Sequence, residues 1–405
     1  MEWKVLAALT AVLACAGGLP SPNGTGGSLL ERYVVDAHLS TAELIAKNGY
    51  PAETHTVTTE DGYIITFHRI PYGKAGPSRN RPVVFLQHGL MCSSGVWVLA
   101  GSEKSPGFIL ADAGYDVWIG NVRGNKYGRT HVSLSPTDKK FWEFSWHENG
   151  YYDLPAQIDY ALEHAGQSSL HFIGHSMGTT SFYAMAASRP EYNKKIRAHF
   201  SLAPVAFMSH LTSPLLRVLS TFQDSLDLLM SMLGDGEFMP SSEFLASVAE
   251  IACQDQTITG DLCGNMLFLL CGFDKEQFNV TLLPIITGHA PAGSSTHQLL
   301  HYSQGIRSGK FRQYSYGAIE NLLKYGSLDP PDYDLSKITA PVYLHWSSND
   351  WMAAVQDVKE LENKLPNVME SRQVPDTNFN HLDFMWAIDV KTLLFDAIIA
   401  QMKEN

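Results

Sequence analysis

One serine, one aspartate and one histidine stand in an order that could do nucleophilic chemistry. Ser176 lies between glycines in Gly174-His175-Ser176-Met177-Gly178, Asp350 closes "SSND", and His381 sits in "PDTNFNHLDF". A serine hydroxyl is a poor nucleophile until a base takes its proton, and that base must be oriented by a third group. The three together could cleave an ester through an acyl-enzyme, with no metal or organic cofactor. The developing oxyanion needs two backbone donors. One is the amide of Met177, after the serine; the other is the amide of Leu90, in the turn of "LQHGL", where Gly89 lets the chain bend tightly.

The chain has 16 histidines, so the choice of base needs an argument. The order serine, acid, histidine confines the base to positions after an acid in the C-terminal part, and His381, the last histidine, occupies a polar loop there. His345 lies inside an expected strand, and His88 and His175 precede the acid and read as loop supports. Asp350 follows the strand "VYLHW" directly, whereas Asp376 and Asp383 follow no strand end and Asp357 lies further into a helix.

Five letters around a serine specify little in a chain with 32 glycines; their context specifies more. The segment "LHFIGHSMGTTSFYAM" predicts a strand over 170–173, a turn at Ser176, and a helix from about Met177 to Ser188 that stops before Pro190. This is the strand-turn-helix setting of an exposed nucleophile, with glycines where side chains would collide. Near-continuous apolar runs at 82–90, 115–124, 170–176, 198–205 and 341–350 predict strands buried on both faces of a parallel sheet. Helical patterns alternate with them. In "DLPAQIDYALEHAG", Asp153 is the expected N-cap, Pro155 lies in the first turn, and Gly166 is the stop. The stretch "TTEDGYIITFHRIPYG" predicts a hairpin, and "LDFMWAIDVKTLLFDAII" a final helix.

The expected class is therefore α/β, a mostly parallel doubly wound sheet. The alternation breaks over 206–332, where Leu215, Leu219, Phe222, Leu226, Leu229 and Leu233 recur at helical spacing. The expected organisation is a core over 29–205, an inserted, mainly helical cap or lid over 206–332, and the rest of the core over 333–405.

Composition bounds the partners. With 45% hydrophobic and 17% charged residues the chain is globular, and 29 basic against 41 acidic residues give a net charge of -12. No basic cluster exceeds a pair such as Lys139-Lys140, which excludes nucleic acid as an expected partner. Residues 1–18, with an apolar run and Ala14-Cys15-Ala16, are read as a secretory signal peptide. No later run is long and uncharged enough to span a bilayer. Removing the signal leaves Cys92, Cys253, Cys263 and Cys271. Cys253 with Cys263 closes a small loop, Cys263 with Cys271 competes, and four cysteines allow three complete pairings. Asn23 and Asn279 head N-glycosylation sequons. His297 and His301 are spaced i, i+4 without the glutamate of a zinc motif, and "GNVRGNKYG" does not fit a dinucleotide loop.

Beyond these motifs, "TTEDGYIITFHRIP", "FLQHGL", "FILADAGYDVWIGNVRGN", "FSWHENGYYDLPAQIDY", "RPEYNKKI", "LAPVA", "SGKFRQYSYG" and "SSNDWMA" resemble the acid lipases, the family of gastric and lysosomal acid lipase. The resemblance runs from about residue 48 to the C-terminus. It implies an α/β-hydrolase core with a cap, hydrolysis of long-chain lipid esters at a lipid-water interface, and the triad Ser176, Asp350 and His381. It further implies that Leu90 and Met177 form the oxyanion hole, that Cys253 pairs with Cys263, and that Cys271 stays free. The family usually has Gln after the nucleophile, where this chain has Met177. The expected location is extracellular, with the lysosome as the alternative. An esterase for small soluble esters and an inactive lipid-binding protein are the competing readings.

Overall fold

The computed structural model describes residues 35–221, 233–234, 236–238, 271, 274 and 276–405. The expected signal peptide, Asn23, Cys253 and Cys263 lie outside them, as do Phe222, Leu226 and Leu229 of the leucine stripe.

Nine strands form one sheet among the described residues. They are β1 (Glu53–Thr58), β2 (Tyr63–Ile70), β3 (Val83–Gln87), β4 (Asp116–Ile119), β5 (Thr130–His131), β6 (Leu170–His175), β7 (Ile196–Leu202), β8 (Val342–Trp346) and β9 (Val368–Gln373). Their order is β1-β2-β4-β3-β6-β7-β8-β9, with β5 beside β2. From β4 to β9 the strands run parallel; β1 and β2 form the antiparallel hairpin expected of "TTEDGYIITFHRIPYG". All five apolar runs became parallel strands. Every residue of β3, β4, β6 and β8 is buried, because helices cover both faces of a parallel sheet. Phe85 and Phe172 stack across β3 and β6 at 5.7 Å, and Phe172 meets Phe182 of the following helix at 5.1 Å. Each such fully buried ring contributes about 2–3 kcal/mol.

The helices are α1 (Thr41–Lys47), α2 (Pro106–Asp112), α3 (Leu154–Ala165), α4 (Met177–Ser188), α5 (Pro214–Thr221), α6 (Leu283–His289), α7 (Thr296–Ser308), α8 (Ala318–Tyr325), α9 (Val355–Lys364), α10 (Asp383–Trp386) and α11 (Asp396–Glu404). Helices α5 to α8 belong to the long connection between β7 and β8, residues 203–341. None of the described helices is long and apolar enough to cross a membrane.

Two local expectations fail for identifiable reasons, and one strand goes unmarked by the apolar pattern. Asp153 is helical, with φ −69° and ψ −46°, and caps nothing. Helical structure already begins at Ser145, whose hydroxyl and Glu148 form a reciprocal capping box, and runs through a π-turn at Asn149–Asp153 into α3. Asp153 instead accepts from the Arg123 backbone amide at 3.0 Å and the Arg123 Nε at 2.8 Å, a buried charge paired with a buried charge. The final helix is broken at Ala387, whose ψ of 146° leaves the helical region. There the chain bridges to Phe278, and the Ile388 amide donates to the Gln277 carbonyl at 2.9 Å. Finally, β9 reads "VMESRQ", a polar strand that apolar patterning passes over. It is a half-exposed sheet edge carrying Glu370 and Arg372, charges that protect such an edge from pairing.

Candidate active site

The expected site residues come from the carboxyl ends of parallel strands. Leu90 follows β3, Ser176 follows β6, Asp350 follows β8, and His381 lies in the loop after β9. This end of an open parallel sheet is where ligands bind.

Ser176 turns the chain from β6 into α4 with φ 54° and ψ −119°. A side-chain-bearing residue there costs about 1–3 kcal/mol, so neighbours must hold it. Its amide donates to the Leu202 carbonyl at 3.0 Å, and its carbonyl accepts from the amide of Thr179 at 2.8 Å and its hydroxyl at 2.7 Å. The flanking glycines are steric requirements. A Cβ on Gly178 would lie 2.3 Å from the Gln87 carbonyl oxygen of β3, and one on Gly174 would lie 2.9 Å from the Gly178 carbonyl carbon. A Cβ on Gly89 would stand 3.0 Å from the Ser176 Cβ, so the turn after β3 closes directly on the serine. In that turn the amide of Leu90, like that of Met177, donates no hydrogen bond within the described residues. Two uncommitted donors therefore border the serine from two elements.

Asp350 and His381 meet in a buried pair. His381 Nδ1 is 2.9 Å from Asp350 Oδ1 and 2.8 Å from Oδ2, while Oδ1 also accepts the amides of Met352 and Ala353 at 2.8 Å each. Burial opposes the aspartate's charge, but His381 and those amides outweigh it and hold the carboxyl below its usual value of 3.8. His381 Nε2 is buried without a hydrogen-bond partner among the described residues, so its outer nitrogen is uncommitted.

The two loops are laced together by side chains. Ser347 Oγ donates to the Phe379 carbonyl, Ser348 Oγ to that of Thr377 at 3.2 Å, and Asn349 Nδ2 to that of Asn378 at 2.7 Å. His175 Nε2 donates to the His381 carbonyl at 2.9 Å. Burial, reinforced by His381 beside it, pushes His175 down to about 3, so it stays neutral. His88, pushed down to about 4 by burial, contacts its neighbour's carbonyl at 2.8 Å and Asn125 at 3.1 Å. Both histidines support loops, as expected. The lacing was missed in the sequence, although "SSND" places three polar side chains directly before the acid.

Met177 is buried, and its sulfur takes two side-chain amides, Asn149 Nδ2 at 3.9 Å and Gln298 Nε2 of α7 at 3.6 Å. Asn149 comes from the π-turn, which approaches α4 closely because Gly150 has no Cβ to meet the Ser181 carbonyl, 2.5 Å away. Tyr302 of α7 also reaches α4, with its hydroxyl 3.0 Å from Thr180 Oγ1. Cys271 is a buried free thiol, its Sγ 3.9 Å from Met352 Sδ; Cys92 is also free and buried. The half-buried Asn279 accepts the Thr281 hydroxyl at 2.6 Å. His301 stacks on Trp146 at 3.6 Å and bonds the Arg312 carbonyl, while His297 stacks on Tyr314 at 5.1 Å. Glu53, His55 and His164 bring possible metal-ligand atoms within 4.8 Å of one another at the β1 edge. There both His55 nitrogens already contact Tyr160 and Glu53, and Arg69 pairs with Glu53.

Comparison with known proteins identifies the fold and the family. Residues 41–101 match the partial alpha/beta-hydrolase lipase region, and residues 82–254 match the alpha/beta hydrolase fold. Lipase 3 of Drosophila melanogaster is 45% identical over 362 residues, covering 89% of this chain and 92% of that protein. Gastric triacylglycerol lipase of Mus musculus is 39% identical over the full length of both chains. Lysosomal acid lipase/cholesteryl ester hydrolase of Homo sapiens is 39% identical over 94% of each. An acetylester hydrolase of Corynebacterium glutamicum, 16% identical, superimposes with a TM-score of 0.53 over 89% of this chain and 98% of its own, which shows the shared fold. The chain is a carboxylic ester hydrolase with the α/β-hydrolase fold, and it belongs to the family of gastric and lysosomal acid lipases.

Proposed function

We propose that this lipase cleaves carboxylic esters of long-chain lipids, triacylglycerol or sterol ester, through an acyl-enzyme on Ser176. His381 takes the Ser176 proton as the hydroxyl attacks the ester carbonyl, then delivers it to the leaving alcohol; Asp350 fixes the tautomer and stabilises the imidazolium. The Leu90 and Met177 amides bind the oxyanion. Water, activated by the same histidine, then releases the fatty acid. The observation that carries this reading is the Asp350–His381 pair, which engages Nδ1 and leaves Nε2 free to work as a base. The bare amides beside a serine in a strained turn support it.

The connection over 206–332 is read as a cap over the carboxyl ends of the strands, supported by the reach of Gln298 and Tyr302 to α4. Passage through the secretory route, with signal 1–18, a Cys253–Cys263 bridge and glycans at Asn279 and Asn23, suits the gastric and lysosomal names of its relatives. The protein would then act outside the cell, or in the lysosome, at a lipid-water interface. Ser176→Ala should remove hydrolysis of emulsified triacylglycerol and cholesteryl ester by about 10⁴-fold or more while the protein still folds. Undiminished turnover would refute the reading.

A further inference from the structure

The turn after β3 is held from outside at one oxygen. Residues 88–92 are buried, and Met91 sits in the left-handed region at φ 57°, a conformation that costs a residue with a side chain about 1–3 kcal/mol. The Gly89 carbonyl accepts from His88 Nδ1 at 2.8 Å and from the Cys92 amide at 3.3 Å. That carbonyl and the Leu90 amide are the two ends of one planar trans peptide unit, so the N–H points opposite to the oxygen. Whatever fixes the Gly89 oxygen therefore aims the Leu90 N–H.

Two outside groups reach that oxygen, each through one intermediary. In the loop after β4, Asn125 Oδ1 accepts the Tyr127 amide at 2.9 Å, which settles the orientation of its side-chain amide. Asn125 Nδ2 then faces His88 Nε2 at 3.1 Å and the Cys92 carbonyl at 3.2 Å. Burial pushes His88 down to about 4, so at neutral pH its ring carries one proton. With Nε2 accepting from Asn125, that proton lies on Nδ1 and points at Gly89. The second group arrives from the β7–β8 connection. The Ala292 amide donates to the Met91 carbonyl at 2.7 Å, and that carbonyl shares a peptide unit with the Cys92 amide, the other donor to Gly89. The Ala292 carbonyl also accepts the Lys126 amide at 2.8 Å, which joins the two supports. Beside it Gly293, at φ 106°, packs so closely that a Cβ would stand 2.6 Å from the Gly124 carbonyl oxygen.

We propose that Asn125 and Ala292 are positioning residues for the Leu90 amide, and that the β7–β8 connection thereby sets the geometry of the oxyanion hole. With both relays in place the N–H is aimed before substrate arrives and does not reorganise as charge develops. The proposal rests on the reading given above, in which Leu90 is an oxyanion donor to an adduct on Ser176.

The test combines hydrolysis of a dissolved short-chain ester with inhibition by a short-chain alkyl trifluoromethyl ketone, whose adduct on a serine places an oxyanion in the hole. Asn125→Ser keeps an acceptor for the Tyr127 amide but is too short to donate to His88. In this variant kcat should fall about 30-fold with KM changed by less than about twofold, and the inhibition constant of the ketone should rise by the same factor of about 30. Gly293→Ala, which pushes Ala292 away from Met91, should give the same signature at about tenfold, and it keeps the proposal open to refutation should Asn125→Ser fail to fold. A merely structural role would lower the active fraction and leave the ketone constant unchanged. That result, or a loss of turnover that appears in KM, would overturn the proposal. Ser176→Ala protein separates it from the reading beneath it. If that protein neither hydrolyses the ester nor binds the ketone, failure of the two variants counts against the positioning alone. Ketone binding as tight in Ser176→Ala as in the native protein would sink the oxyanion reading, and the proposal with it.

Discussion

Ser176 and His381, the proposed nucleophile and base, are held by opposite means. Around Ser176 the work is done by backbone and by missing side chains: carbonyls of β7 and β3, and glycines at 89, 174 and 178 that let three elements close to contact. Around His381 it is done by side chains: the Ser347, Ser348 and Asn349 lacing, the Asp350 carboxylate and the His175 prop. Backbone and sterics do not titrate, whereas carboxyls do. The nucleophile side should therefore be indifferent to pH and intolerant of volume, and the base side the reverse.

The largest effect expected from breaking this contrast is on the base side. Asp350→Asn keeps the volume but removes the charge that orients His381, and kcat should fall about 10⁴-fold with little change in melting temperature. On the nucleophile side, Gly178→Ala adds one methyl group 2.3 Å from a carbonyl oxygen of β3, which must move. Its cost should appear in denaturant unfolding as about 2–4 kcal/mol, with activity lost in proportion to misplacement of the elbow.

The pH dependence separates the two sides next. Asp350, held below 3.8, contributes stability that is present above pH 3.8 and lost as pH falls through its lowered folded value. Asp383, raised to about 8, contributes stability that is complete below pH 3.8 and lost as pH climbs through about 8. Both windows belong to the base side. Together they place its greatest stability near pH 4, which a melting series across pH 3–9 checks directly.

Smaller changes sharpen the picture. Ser347→Ala strips a donor from the Phe379 carbonyl and should cost about 1–3 kcal/mol, lowering kcat several-fold with KM nearly unchanged. Met177→Gln should be the mildest. It replaces a sulfur with a group that can donate to Asn149 Oδ1, a buried oxygen with no partner, so stability should shift by less than about 1.5 kcal/mol, in the favourable direction. A loss of activity with folding intact would show that the soft contact to Gln298 is itself needed.

The same contrast explains what could be read in the sequence. The nucleophile side was legible because backbone geometry leaves marks in residue type: glycine where a Cβ would collide, and unbroken apolar runs where strands are buried on both faces. Asp350 was picked by its place after a strand end and His381 by its order after that acid, and the structure brings the two within 2.8 Å. What escaped lies in long-range polar contacts that carry no periodicity. Asp153 looked like a cap because the chain distance to Arg123 hides their pairing, and β9 left no apolar signal because an edge strand carries polar residues. The break at Ala387 depends on Gln277 and Phe278, more than a hundred positions earlier. Asp383 was weighed only as a partner for His381 and set aside; buried, it accepts the Asn380 amide at 2.6 Å instead.

The central claim, that Ser176 is the nucleophile and His381 with Asp350 its activating pair, is tested most directly by covalent trapping. The protein is incubated with a long-chain alkyl phosphonate that reacts with activated serines, and the adduct is located by peptide mass spectrometry. The account predicts a single adduct on Ser176, formed in the native protein and slowed by several orders of magnitude in His381→Ala. An adduct on another serine, or undiminished labelling of Ser176 without His381, would contradict it.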